Sequence, residues 1–259
     1  RQQESHRKFV LKSYALRKEV ERCISKHWSP EIVSGRLKRE GQLPTISPES
    51  IYRWIFNHQP HLISYLTRYS KDARHHKRGR KNKTYERIKE RVDITQRPEN
   101  INNRREFGHW ETDLVEGQGQ SCLKVSVERK WRLSKLRKVK DKTGSQSNKA
   151  LLDMFGQMPK DTVKSITYDN GTENTGHIEI NRILNTKSYF CQPYHSWEKG
   201  TVENTNGIIR RFFPKNTNFD NITESQIQLL EFWLNNRPRK CLNYLTPQEV
   251  FNSTVALAT

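Results

Sequence analysis

Asp113 in HWETDLVEG, Asp169 in ITYDNGTEN and Glu203 in SWEKGTVENTNG are the residues of this 259-residue chain whose types and spacing could do chemistry. Asp169 and Glu203 are separated by 33 residues. Carboxylates so far apart can still meet if the first two end neighbouring strands and the third rides on a helix packed over them. Three hard oxygen ligands facing one cavity suit a pair of Mg²⁺ ions, with Mn²⁺ expected to substitute. Such ions keep several waters and bridge phosphate oxygens. In a strongly basic chain the matching substrate is a nucleic-acid backbone, and the matching reaction is a polynucleotidyl transfer.

Each acid alone has an ordinary explanation. Asp113 could lie on a solvated strand face, Asp169-Asn170-Gly171 is common turn chemistry, and a helical glutamate usually faces water. Their occurrence in order, on the right element types, is what points to a site. A buried carboxylate without a partner costs several kcal/mol, and a metal would remove that penalty.

The elements that must position these acids follow from hydrophobic period and turn residues. Strands are expected over 109–116, 122–130 and 133–139, with Gly117-Gln118-Gly119 as the first turn. A helix over 149–158, a strand over 163–168, a helix over 177–184 and a short strand over 187–191 follow. Helices over 201–213 and 224–236, broken by Pro214 and Pro238, and a last short helix over 247–251 complete the pattern. Three antiparallel strands followed by β/α alternation suggest an α/β fold, a mixed sheet flanked by helices. This is the order expected of a ribonuclease-H-like core, although periodicity alone does not select it among α/β arrangements.

Ahead of this lies a small all-α region. Ser29-Pro30-Glu31 and Ser47-Pro48-Glu49 each place an N-cap before a proline at the first helical position. The helices are expected over 30–40, ending at Gly41, and 48–58, with Ile51, Trp54 and Ile55 on one face. Two capped helices around a glycine-bearing turn outline a helix-turn-helix. Ser50, Tyr52, Arg53 and Asn57 are then candidate contacts in the major groove; a generic helical hairpin is the plain alternative. The basic run over 68–91, with Lys77, Arg78, Arg80 and Lys81, reads as a linker tracking phosphates. His75-His76 belongs to that run rather than to a metal site. The expected domains are 1–66 helical and DNA-binding, 67–92 basic linker, and 93–259 catalytic.

Composition bounds the partners. Lys and Arg number 47 against 28 Asp and Glu, a formal net charge of +19. That excess favours polyanions through counterion release and makes duplex affinity fall steeply with salt. No stretch has the length of a membrane-spanning helix. Cys23, Cys122, Cys191 and Cys241 form no C-x-x-C pair, which fits a reducing compartment and argues against a zinc finger. The chain begins at Arg1 rather than Met, so a preceding segment is expected to have been lost.

HWETDLVEG, TYDNGTEN, YHSWEKGTVENTNGIIRRFFPK and LNNRPRKCLNYLTPQEVF closely resemble the bacterial insertion-sequence-thirty family of DDE transposases. SPEIVSGRLKRE and ISPESIYRWIF resemble that family's inner helix-turn-helix. The resemblance covers nearly the whole chain. It implies a ribonuclease-H-like, retroviral-integrase-like core that cuts and joins transposon ends, with Asp113, Asp169 and Glu203 as catalytic and metal-binding triad. It also implies a further N-terminal helix-turn-helix ahead of this chain, a homodimer or larger complex on double-stranded DNA, and a place in the bacterial cytoplasm at the nucleoid.

Lys199 lies four residues before Glu203 and Arg210 seven after it. Both fall where related enzymes carry basic residues, and positioning DNA phosphates is their expected role; i,i+4 pairing of Lys199 with Glu203 is the alternative. His109 and His177, close in sequence to the two aspartates, could orient water or simply pack. Trp110, Tyr194 and Trp197 could stack on a frayed base. Metal-assisted transfer needs no covalent protein intermediate, which excludes Tyr168 and Ser188 as nucleophiles. A same-fold nuclease without strand joining and a DNA-binding regulator derived from a transposase remain the competing functions.

Overall fold

The structure, a computed structural model, describes residues 13–66, 88–193 and 195–256. Tyr194, Lys77, Arg78, Arg80 and Lys81, and most of the expected linker, lie outside the described residues. By internal contacts there are two compact units. One holds the described residues of 1–80 together with 237–246, the other those of 81–236 and 247–259.

The first unit is built on α1 (Tyr14–Ser25), α2 (Pro30–Glu40) and α3 (Pro48–His58). Helix α1 was not foreseen as a separate element, although Ser13 caps it by accepting from Leu16 N. The two expected helices form over the expected residues. Gly41 ends α2 at φ 68, a left-handed conformation that glycine adopts freely. Ser47 caps α3 through Ser50 N, whereas Ser29 stands at the N-cap of α2 without a side-chain cap bond. Val20, Ile24, Trp28, Val33, Ile51, Trp54 and Ile55 pack into one apolar core. The segment 237–246 folds onto α2. Arg36 Nη1 donates to Tyr244 O at 3.1 Å and Arg39 Nη1 to Asn243 O at 3.1 Å. A side chain at Gly35 would run into the Tyr244 ring, so glycine there lets the ring approach the helix backbone.

The second unit is α/β. Strands β1 (His109–Glu116), β2 (Cys122–Glu128), β3 (Ser134–Val139), β4 (Ser165–Tyr168) and β5 (Lys187–Phe190) form one mixed sheet in the order β3-β2-β1-β4-β5. The pairs β1–β2 and β2–β3 are antiparallel; β1–β4 and β4–β5 are parallel. A short α4 (Glu99–Asn102) precedes the sheet, and α5 (Gly144–Phe155) and α6 (His177–Leu184) join the parallel strands. Helices α7 (Gly200–Phe212), α8 (Glu224–Asn235) and α9 (Pro247–Ala256) follow.

Helix α5 starts five residues before its expected start at 149 because Thr143 caps it, accepting from Gln146 N. It ends at Phe155, before Gly156. Helix α9 runs to Ala256 rather than stopping at 251. Two cores cover the two faces of the sheet. Trp110, Ile166, Tyr168 and Phe190 pack with Met154 and Phe155 of α5 and Ile180 of α6. Val115, Val125, Val127 and Leu136 pack with Val202 and Ile209 of α7 and Leu230 and Leu234 of α8. At roughly 1.5–3 kcal/mol per fully buried large aliphatic or aromatic side chain, the second of these cores holds α7 firmly over β1 and β2.

Candidate catalytic centre

Asp113 faces Val125 across the β1–β2 ladder, so its side chain is on the sheet face covered by α7. In the parallel β1–β4 ladder Glu111 is level with Thr167. Two residues further along each chain, Asp113 and Asp169 therefore come level just past the end of β4. Parallel register, not sequence proximity, is what makes them neighbours.

Between them lies Lys199, the last residue of the single turn Ser196–Lys199 that leads into α7. Its Nζ is 3.1 Å from Asp113 Oδ1 and 3.1 Å from Asp169 Oδ2, and it donates to Thr112 O at 3.2 Å. The residue is only 4% exposed. Burial opposes the charge of Lys199, yet Asp169 and Asp113 prevail and hold its pKa above the ordinary lysine range. Burial likewise pushes the Asp169 carboxyl up, but the adjacent Lys199 brings it below its usual value.

Amides fix the other oxygens. Asn206 Nδ2 donates to Asp113 Oδ2 at 2.6 Å, and Asn174 Nδ2 donates to Asp169 Oδ1 at 2.7 Å. Lys124, fully buried in β2, donates from Nζ to Asn174 Oδ1 at 3.3 Å, and burial lowers its pKa to about 8. Burial raises Glu173, and the charge of Asp169 adds to the effect.

Helix α7 is tied to the strand that carries Asp113. Glu111, two residues before Asp113 and on the same face of β1, is 1% exposed. Its Oε2 accepts from Thr201 N at 2.8 Å and Val202 N at 3.0 Å, in the first turn of α7. Its Oε1 accepts from Arg129 Nε at 2.9 Å. A carboxylate on unpaired helix N–H groups is favourable both as hydrogen-bond acceptor and against the helix dipole. Glu203 follows Val202 directly, and Asn206 lies one turn beyond it.

Glu203 itself is exposed and makes no ion pair among the described residues. Lys199 turns to the aspartates instead of pairing with it. Arg210, in the last turn of α7, donates from Nη2 to Glu116 O at 2.5 Å. No cluster of three His, Cys, Asp or Glu side chains stands at metal-holding distance among the described residues. Two of the three acids nevertheless share one cation, the Lys199 ammonium. A pair of carboxylates arranged to share a cation is a donor set that suits a hard divalent ion.

The other candidates separate clearly. His109 Nδ1 in β1 is 2.8 Å from Ser165 Oγ and His177 at the start of α6 lies edge-on to Phe190, so both are packed inside and burial lowers both pKa values. Trp110 is fully buried against Phe155 and donates from Nε1 to Thr162 O, which removes it as a base-stacking residue. Trp197 is 66% exposed and stacks on His195. Tyr168 is buried, with its phenol pKa pushed up by desolvation, and Ser188 Oγ donates to Asn181 Oδ1. In α3, Arg53 and Asn57 are exposed and Ser50 and Tyr52 half-buried, while Ile51, Trp54 and Ile55 turn inward. The four cysteines are free, and no helix among the described residues is long and apolar enough to cross a membrane.

Glu111, Lys124, Asn174 and Asn206 were not singled out from sequence. The signal for Glu111 was present: two acids at i and i+2 of one strand share a face. Lys124 was the one charge inside the apolar alternation of CLKVSV.

An α/β domain with one aspartate on a strand, a second level with it just past the end of the parallel neighbour, and a helix clamped across them is the class of protein that fold and site define. No family model matches the chain. It is 40% identical over 263 residues to the transposase of insertion sequence element IS4351 of Bacteroides fragilis, covering 98% of this chain and 78% of that protein. To transposase InsI of insertion sequence element IS30A of Escherichia coli K12 it is 38% identical over 252 residues, covering 93% of this chain and 66% of that one. The catalytic core domain of BIV integrase matches with a TM-score of 0.46 and 20% identity, over 59% of this chain and 99% of that chain. The chain belongs to the IS30 family of insertion-sequence transposases.

Proposed function

We propose that the chain is a DNA transposase whose ribonuclease-H-like core cleaves DNA strands at transposon ends and joins them to target DNA. The observation that carries this is the convergence of Asp113 and Asp169 on one cation, beneath a helix that bears Glu203 and is clamped by Glu111. Asp113, Asp169 and Glu203 would hold two Mg²⁺ ions, or Mn²⁺ in their place, which supply Lewis acidity and an activated water for in-line displacement at phosphorus. Asn174 and Asn206 keep the two aspartates turned toward the site. Arg210 meets backbone phosphates, and so does Lys199 once it leaves the carboxylates. Helices α2 and α3 act as a helix-turn-helix, with Ser50, Arg53 and Asn57 toward the major groove and Tyr52 beside them. The partner is double-stranded DNA, met by a dimer or larger complex at the bacterial nucleoid. The chain spans about two-thirds of the Escherichia coli relative's length, so recognition of the end sequence is proposed for the whole protein.

The test is cleavage and strand transfer on labelled duplexes carrying candidate transposon ends, with Mg²⁺, Mn²⁺ or EDTA. Joined products that require metal and vanish in Asp113→Asn are expected. Cleavage without joining would leave a nuclease, and binding without metal-dependent breakage a DNA-binding regulator.

A further inference from the structure

Lys199 is the least expected member of the site. A basic residue just ahead of the helical glutamate invites a role at the DNA surface, yet this one is buried with its ammonium equidistant from two carboxylates, 3.1 Å from each. It is held there by more than the aspartates, since Thr112 O accepts a third hydrogen bond. An ammonium has three donors, and all three are used. Asn206 and Asn174 occupy the outer carboxylate oxygens, so the inner oxygens, Asp113 Oδ1 and Asp169 Oδ2, are the pair left to share a cation.

We propose that Lys199 is a cationic placeholder: its ammonium balances and aligns Asp113 and Asp169 until a divalent ion takes its position, and it must withdraw for that ion to bind. The inference rests on the metal-binding reading given above and goes beyond it, because it makes metal binding an exchange rather than an addition. Two facing carboxylates without a cation repel one another and are poorly solvated in a half-buried site. Lys199 removes that repulsion in the free protein, and by the same token it competes with the metal. Its place at the junction of a single turn with α7 suits a side chain that must move, because the helix itself stays anchored through Glu111.

The sign of the effect makes the test sharp, since general damage to a site weakens metal binding whereas loss of a competitor strengthens it. Mn²⁺ is titrated into the full chain and free ion is followed by electron paramagnetic resonance, for wild type, Lys199→Met, Lys199→Gln and Asp113→Asn. Lys199→Met is expected to bind Mn²⁺ about tenfold more tightly than wild type, and Lys199→Gln, which keeps an N–H donor, to fall between them. In EDTA the Tm of Lys199→Met should lie below that of wild type, and saturating Mn²⁺ should restore it. Wild-type binding that Asp113→Asn abolishes but Lys199→Met leaves equal or weaker would overturn the placeholder and spare the metal site. Absence of Mn²⁺ binding in both wild type and Lys199→Met would overturn both. Should Lys199→Met not fold in EDTA, Lys199→Gln carries the same comparison.

Discussion

The N-terminal helices and the sheet unit bury very different side chains. Within 13–66 the core is apolar throughout, from Val20 and Ile24 to Trp54 and Leu62, and no charged side chain of that stretch is buried. The sheet unit buries Arg97, Glu111, Lys124, Glu128, Arg129 and Lys199. Three of these ions stand opposite charged partners: Arg129 on Glu111, and Lys199 on Asp113 and Asp169. Glu128, raised to about 7 by burial, is met by the backbone N–H groups of Gly108, His109, Lys130 and Trp131. A paired ion in the interior is a weak source of stability, because desolvation consumes most of the attraction. Residues 13–66 keep every charged side chain out of their core. The sheet unit gives up some stability to keep charges at fixed places.

The largest effect that could sharpen this contrast is at Glu203, which no ion pair supports. Glu203→Gln should lower the rate of metal-dependent strand cleavage by about 10³-fold or more, the scale of losing several kcal/mol of charge stabilisation. DNA affinity and Tm should stay close to wild type. Retained cleavage would remove Glu203 from the centre.

Next come two substitutions of similar thermodynamic weight and opposite meaning. Trp54→Ala empties an apolar core and should destabilise the helical unit by about 3–5 kcal/mol in urea unfolding, with Mn²⁺ affinity unchanged. Glu111→Ala strands Arg129 as a buried charge, at roughly 3–5 kcal/mol, and also frees the first turn of α7. It should therefore weaken Mn²⁺ binding and slow cleavage as well. If both variants left Mn²⁺ affinity alone, the difference drawn between the two regions would fail.

The smallest effect concerns pH. Burial depresses His109 and His177, so the unfolded chain binds protons that the folded chain refuses. Their contribution to stability is complete above about pH 6.5, the unfolded value, and is lost as pH falls below it. The slope is at most about 1.4 kcal/mol per pH unit for each group. Urea midpoints between pH 5 and 7.5 should show this slope in wild type and a flatter one when both residues are replaced by Gln.

Much of the architecture was legible from local signals. Proline at the first position of α2 and α3, the left-handed Gly41 and the alternation read in β2 and β3 each act within a few residues, so sequence alone carries them. Helix α1 and the early start of α5 were missed although Ser13 and Thr143 are ordinary caps, because polar residues around each obscured the apolar face. Asp113 and Asp169 stood out from their frames, and the structure brings both to Lys199. Their neighbours were not, since Lys124, Asn174 and Asn206 look like unremarkable polar residues until distant segments bring them to an aspartate.

By itself the sequence determined the family, the element order, the basic charge and the acids worth examining, because motif frames and hydrophobic period are written in consecutive residues. Tertiary structure alone decided that Asp113 and Asp169 are level across a parallel register, that Glu111 clamps α7, and that Lys199 points at the aspartates rather than at solvent. Those facts depend on strand offset, on which carboxylate reaches a helix end, and on burial. All three arise from packing segments some tens of residues apart, and no local pattern of side chains records them.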